Sequence, residues 1–174
     1  MGEGTKVNLP NILTMTRFLF IPLFIVVFFK GYELQAYGIL LIAGITDVVD
    51  GYLARKNNQV TDLGSMLDPL ADKLMMLTVI ISLLIADKIS LLLAALIFFR
   101  DGAMIIGSLV FHFRGKKTVP ANAFGKITTV LFYMAVLLII FELPYHKEFL
   151  WFVVVFAFLT SFNYVREVIK LNFR

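Results

Sequence analysis

The chain of 174 residues has no cysteine and only two histidines, His112 and His146, which stand far apart in sequence. The absence of thiols excludes a disulfide scaffold, and with so little imidazole it also disfavours a zinc site. Charge is scarce as well, at 16% of residues, where a soluble domain carries about 25%. No internal repeat, low-complexity tract or nucleic-acid-binding module is present, so nucleic acid is not an expected partner. What fills the space is apolar. Hydrophobic residues make up 60% of the chain and the mean hydropathy is +0.88, against about 45–50% apolar content in soluble domains. An integral membrane protein is the expectation, and a net charge of +4 fits a surface of anionic lipids.

Apolar runs of bilayer-spanning length recur at about 11–29, 34–54, 64–86, 90–113, 122–143 and 147–171. Each comes close to the ~20 residues that cross a hydrocarbon core of about 30 Å. The pattern predicts an all-α integral membrane fold with six transmembrane helices. It forms a single domain, 1–174, opened by a short polar segment, 1–10. Pro22 predicts a kink in the first helix, which membrane helices tolerate. Basic residues divide unevenly between the two ends of these spans. Lys6, Arg55, Lys56, Arg114, Lys116, Lys117, Lys170 and Arg174 collect on one side, and Lys30, Lys88 and Lys147 on the other. By the positive-inside rule the first side is cytoplasmic, which predicts a multi-pass protein of the plasma membrane.

Against this background four acids stand out. Asp47 and Asp50 close the second span, and Asp68 and Asp72 open the third. A carboxylate at the centre of a membrane helix costs roughly 2.5–3.5 kcal/mol on insertion scales, so intramembrane acids point to function. On helices, residues three or four apart share a face, and each helix therefore offers a carboxylate pair. Two such pairs meeting across a short turn make an all-oxygen nest suited to Mg²⁺ or Mn²⁺. Gly51 and Gly64 allow close approach of backbone or of a flat ligand. Arg55 adds a planar fork that matches phosphate. Acids, glycines and an arginine together suggest a metal-bound diphosphate; acids in paired helices also fit a cation transporter, although transport needs no glycine or arginine at fixed distance from them.

The residues Asp47, Asp50, Gly51, Ala54, Arg55, Gly64, Asp68 and Asp72 follow the order D-x₂-D-G-x₂-A-R-x₈-G-x₃-D-x₃-D, which resembles the signature of the CDP-alcohol phosphotransferases. The resemblance implies a metal site at the cytoplasmic ends of helices 2 and 3. Asp47, Asp50, Asp68 and Asp72 would hold two ions, Mg²⁺ or Mn²⁺, with Asp72 also serving as the catalytic base. Asp47, Gly51, Ala54, Arg55 and Gly64 would border the CDP group. The implied reaction transfers the phosphatidyl group of CDP-diacylglycerol to an alcohol and releases CMP, a step of phospholipid biosynthesis. Membrane lipids and a second copy of the chain, as a homodimer, are the implied partners.

The stretch NLPNILTMTRF, with Arg17, is similar to the opening of the superfamily's cardiolipin synthases and of the bacterial members that use glycerol 3-phosphate as acceptor. Such a dianion needs cations, and Arg17, Arg100, Lys126 and Arg166 are the candidates. Arg100 and Asp101 are neighbours and project in different directions on a helix, so they do not read as a mutually neutralising pair. In the glycerol 3-phosphate members the fifth span opens with Gly-Lys-x-Lys-Thr, whereas this chain has Gly125, Lys126, Ile127, Thr128 and Thr129. The missing lysine, together with LGSMLDPLADK and Arg100-Asp101, also resembles the cardiolipin synthases of the superfamily, whose acceptor is phosphatidylglycerol.

Overall fold

The structure, a computed structural model, describes the backbone of residues 9–56, 62–113 and 123–172 and, within these, the side chains of 15–49, 70–107, 110 and 124–172. It is all-α. Six helices follow in order: α1 (Leu9–Phe29), α2 (Glu33–Lys56), α3 (Asp62–Ile85), α4 (Leu91–Phe113), α5 (Ala123–Ile140) and α6 (His146–Asn172). They fall into two compact units, Met1–Ile85 and Ala86–Arg174.

α1 is the hub of the first unit. It runs unbroken through Pro22 and packs along both α2 and α3, which among the described residues rest on α1 far more than on each other. α2 and α3 also touch each other directly, as the expected meeting of the two acid-bearing helices requires, and residues 57–61 that join them lie outside the described residues. α1 ends at a sharp reversal in which Gly31 adopts φ 84°. The Gly31 N–H donates to the Phe28 carbonyl and the Tyr32 N–H to the Val27 carbonyl, the paired bonds of a Schellman cap. A residue with a Cβ pays a steric penalty in this left-handed conformation, and glycine does not.

The reversal sets the register of the α1–α2 pair. Buried Ala36, Leu40 and Ala43 on α2 recur at helical spacing, as do buried Arg17, Phe24 and Phe28 on α1. Phe28 and Ala36 are equidistant from Tyr32 along the chain, and so are Phe24 and Leu40. Large residues of α1 thus stand at the levels of smaller ones on α2. The Phe24 and Phe28 rings stack at 5.6 Å between centroids. On α3, Ala71, Met75, Val79 and Leu83 form the buried stripe.

The second unit is centred on α6, which packs against α5 and α4. Ser90 caps α4, its hydroxyl accepting the Leu93 N–H at 3.3 Å, which satisfies one of the amides a helix start leaves open. Buried Phe132, Ala135, Val136 and Ile139 of α5 and Leu150, Val153 and Val154 of α6 supply the apolar core. Thr128 and Thr160 are buried, their hydroxyl oxygens 3.4 Å apart, and each also donates to the carbonyl four residues back. α5 stops at Ile140, short of the expected 143. Glu142 adopts φ 48°, its N–H donates to the Ile139 carbonyl and the Leu143 N–H to the Leu138 carbonyl. This is the same cap as at Gly31, and Pro144 follows it, disfavouring further helix at Leu143.

Outward faces in both units are apolar, with Leu19, Leu23, Ile42, Ile45 and Val48 exposed in the first and Phe99, Ile106, Val130, Phe152, Val155 and Leu159 in the second. Such surfaces belong against lipid or another protein. Among the described residues α6 is the helix that is both long and apolar enough to cross a membrane; the described parts of α1 and α5, Met15–Phe29 and Phe124–Ile140, are shorter apolar stretches. At 1.5 Å per residue the 27 residues of α6 exceed a hydrocarbon core of about 30 Å. Lys6, Arg114, Lys116, Lys117 and Arg174, which carried much of the charge asymmetry, lie outside the described residues.

Candidate active site

The acids lie on the two helices that α1 holds. Position 47 and position 50 belong to one continuous helix, α2, and positions 68 and 72 to another, α3. Helicity thus puts each pair at the spacing that the sequence implied. The side chains of Asp50, Ala54, Arg55 and Asp68, and the surroundings of Gly51 and Gly64, lie outside the described residues. Asp47 and Asp72 are described, and Asp72 is exposed.

Asp47 has a partner that the sequence reading assigned elsewhere. Arg17 of α1 donates from Nη1 to Asp47 Oδ1 at 2.5 Å. The two residues are equidistant from Tyr32, seven residues beyond the levels of Phe24 and Leu40. The pair is lopsided, the arginine side chain being 2% exposed and the aspartate 40%. An ionised guanidinium this buried needs an anion, because removing one member of a buried pair strands the other at about 3–5 kcal/mol. Asp47 supplies that anion through Oδ1, and its side chain is partly exposed. Arg17 was expected at the acceptor phosphate, and its described contact is with the first acid of the signature.

In the second unit Arg100 and Asp101 correct the sequence reading. Arg100 Nη1 donates to Asp101 Oδ1 at 2.6 Å, and Nε donates to Ser161 Oγ of α6 at 2.7 Å. Neighbouring Cβ atoms on a helix do diverge, but the arginine stem is long enough to fold back, and the fork then reaches two groups at once. The side chains are 16% and 12% exposed. Ser161 carried no signal in the sequence; it stands on the same face of α6 as buried Val154 and Val168, seven residues to either side.

The other two candidate cations are open. Lys126 is exposed on α5, and exposed Arg166 on α6 lies 5.9 Å over the Phe162 ring. At the far end of the second unit, Lys88 Nζ donates to Glu142 Oε1 at 3.1 Å.

The donors available for a metal fit a hard divalent cation. The chain has no thiol, and of its signature acids Asp47 is partly exposed and Asp72 exposed. Oxygen-only ligands of this kind suit Mg²⁺ or Mn²⁺ and disfavour zinc. Among the described residues no three acids or histidines converge; Asp50 and Asp68, which would complete the set, are outside them.

Helix pairs carrying this signature define a class of membrane transferase. The CDP-alcohol phosphatidyltransferase family matches residues 7–159, and the chain belongs to that family, whose members depend on divalent metal. With this membership and a helix such as α6, it is a membrane protein. The chain is similar to the CDP-diacylglycerol–glycerol-3-phosphate 3-phosphatidyltransferase of Rickettsia felis, 42% identical over 127 residues that cover 71% of this chain and 70% of that protein. The Bacillus subtilis protein of the same name is 33% identical over 180 aligned residues, covering 90% and 93%. A cardiolipin synthase (CMP-forming)/mitochondrial hydrolase fusion protein of Schizosaccharomyces pombe is 42% identical over 119 residues, 68% of this chain and 20% of that protein.

Proposed function

We propose that this chain transfers the phosphatidyl group of CDP-diacylglycerol to glycerol 3-phosphate, yielding phosphatidylglycerophosphate and CMP in phospholipid biosynthesis. The observation that carries the proposal is the likeness to the Bacillus subtilis enzyme of that activity, which extends over nearly the whole of both chains. Membership of a transferase family leaves the cation-transport reading of the acids without support.

In this reading Asp47, Asp50, Asp68 and Asp72 hold two divalent ions, Mg²⁺ or Mn²⁺. When bound, the ions neutralise charge on the diphosphate and on the departing CMP. Gly51, Ala54 and Arg55 on α2 and Gly64 on α3 border the cytidine and diphosphate. Asp72 accepts the proton of the attacking hydroxyl. That oxygen forms its bond to the lipid phosphorus as the phosphorus–oxygen bond to CMP breaks. Exposed Lys126 and Arg166 are the cations best able to meet the phosphate of the acceptor, since Arg17 and Arg100 are already engaged with carboxylates. The proposal extends to one catalytic domain over 1–174 with six membrane spans, the acids at the cytoplasmic face of the plasma membrane, and assembly as a homodimer.

The likeness to the cardiolipin synthase fusion protein keeps one alternative, in which phosphatidylglycerol is the acceptor. CMP release by the purified protein in detergent, with CDP-diacylglycerol and Mg²⁺, separates the two. Turnover is expected with glycerol 3-phosphate. Turnover with phosphatidylglycerol alone reassigns the acceptor, and no CMP with any alcohol overturns the reading.

A further inference from the structure

We infer that Arg17 is a positioning residue that makes Asp47 a one-oxygen metal ligand and thereby favours small octahedral cations over Ca²⁺. The inference rests on the transferase reading above, and its ground is the geometry of the Arg17–Asp47 pair.

Three observations converge on it. Arg17 is on α1, the helix that packs against both acid-bearing helices, so its place is set by the core of Phe24 and Phe28 and not by a loop. Its fork is buried and bonded to Asp47 Oδ1 across 30 residues of sequence. The Asp47 side chain, by contrast, is 40% exposed, and its described bond to Arg17 uses Oδ1. A buried arginine behind a half-open carboxylate is how outer groups orient ligands at metal sites. The same burial argues against a direct contact with the acceptor: to reach a soluble phosphate, the guanidinium would have to leave both its pocket and Asp47.

Committing Oδ1 has a chemical consequence. Ca²⁺ accepts carboxylates through both oxygens and tolerates seven or eight ligands, whereas Mg²⁺ demands six in near-ideal octahedral array. A carboxylate with one oxygen tied to a guanidinium offers the single, directed oxygen that suits the smaller ion. Without Arg17, Asp47 gains rotational freedom and its second oxygen, which helps Ca²⁺ more than Mg²⁺.

The test is Mn²⁺ binding to the purified protein without substrate, followed by electron paramagnetic resonance, with Mg²⁺ and Ca²⁺ as competitors. Arg17→Met is expected to weaken Mn²⁺ binding about 10- to 100-fold and to let Ca²⁺ compete better relative to Mg²⁺. Arg17→Lys, which keeps the charge but loses the fork, is expected to fall between the two; it decides the matter if Arg17→Met does not fold, as judged by its melting curve. Unchanged Mn²⁺ affinity and unchanged Ca²⁺ competition in the folded variants, with a raised KM for glycerol 3-phosphate, would overturn the inference and make Arg17 an acceptor ligand. If the wild-type protein binds no Mn²⁺, the metal-site reading itself falls and takes the inference with it.

Discussion

Each unit of this protein holds a largely buried arginine against an aspartate, and the two pairs are built to different ends. In the first unit Arg17 is 2% exposed and Asp47 40%, and the partners come from different helices. In the second, Arg100 and Asp101 are neighbours on α4, 16% and 12% exposed, and the arginine is tied to Ser161 of α6 as well. The Arg100 pair spends its charge inside the unit and pins α4 to α6. The Arg17 pair leaves half of an anion facing outward. Enclosure on both sides is the mark of a structural pair; enclosure on one side leaves an anion available to a ligand.

The comparison breaks most readily at the acids. Asp72→Asn is expected to lower CMP release by about 10²–10⁴-fold, the usual contribution of a general base, with the melting temperature unchanged because Asp72 is exposed. A matching fall in melting temperature would move Asp72 from chemistry to structure. Arg100→Met should do the reverse. Leaving Asp101 enclosed with its described cation gone is expected to cost about 3–5 kcal/mol in reversible unfolding from detergent. An undisturbed unfolding curve, with a KM for the acceptor that rises, would show that the second arginine binds substrate after all.

Smaller substitutions sharpen the contrast. Gly31→Ala forces a Cβ into a left-handed turn and is expected to cost about 1 kcal/mol, although nothing crowds the site. A loss much greater than that would mean the α1–α2 register, and with it the Arg17–Asp47 pair, depends on this one turn. Ser161→Ala removes one interhelical hydrogen bond, and such bonds between membrane helices average about 0.6 kcal/mol. A loss of several kcal/mol would show that the arginine cannot hold α6 without that hydroxyl.

Much of this was legible beforehand, for local reasons. Expected and observed helix ends agree to within three residues because apolar runs, Ser90 and Gly31 act through the adjacent backbone. The acids were conspicuous because carboxylates are costly in apolar segments. Arg17 was conspicuous for the same reason, but its partner was not. The clue was available in the equal spacing of Arg17 and Asp47 about Tyr32 and in the small residues Ala36 and Ala43, and it acquires meaning once α1 and α2 are known to lie antiparallel and in contact. Arg100 with Asp101 misled because helical geometry fixes where a Cβ points, not where a long flexible side chain ends. Ser161 was silent, as serines in membrane helices generally are until a neighbour is placed beside them.

By itself the sequence determined six helices, an apolar exterior and two pairs of acids at helical spacing, since each of these depends on periodicity, composition and backbone preferences acting over a few residues. The tertiary structure decided which cation meets which acid. It made α1 the helix that supports both acid-bearing helices, turned Arg100 inward upon Asp101 and Ser161, and left Asp47 half open above a buried guanidinium. Those outcomes depend on burial and on contacts between residues tens of positions apart, which arise only when helices pack and polar groups excluded from water must find one another.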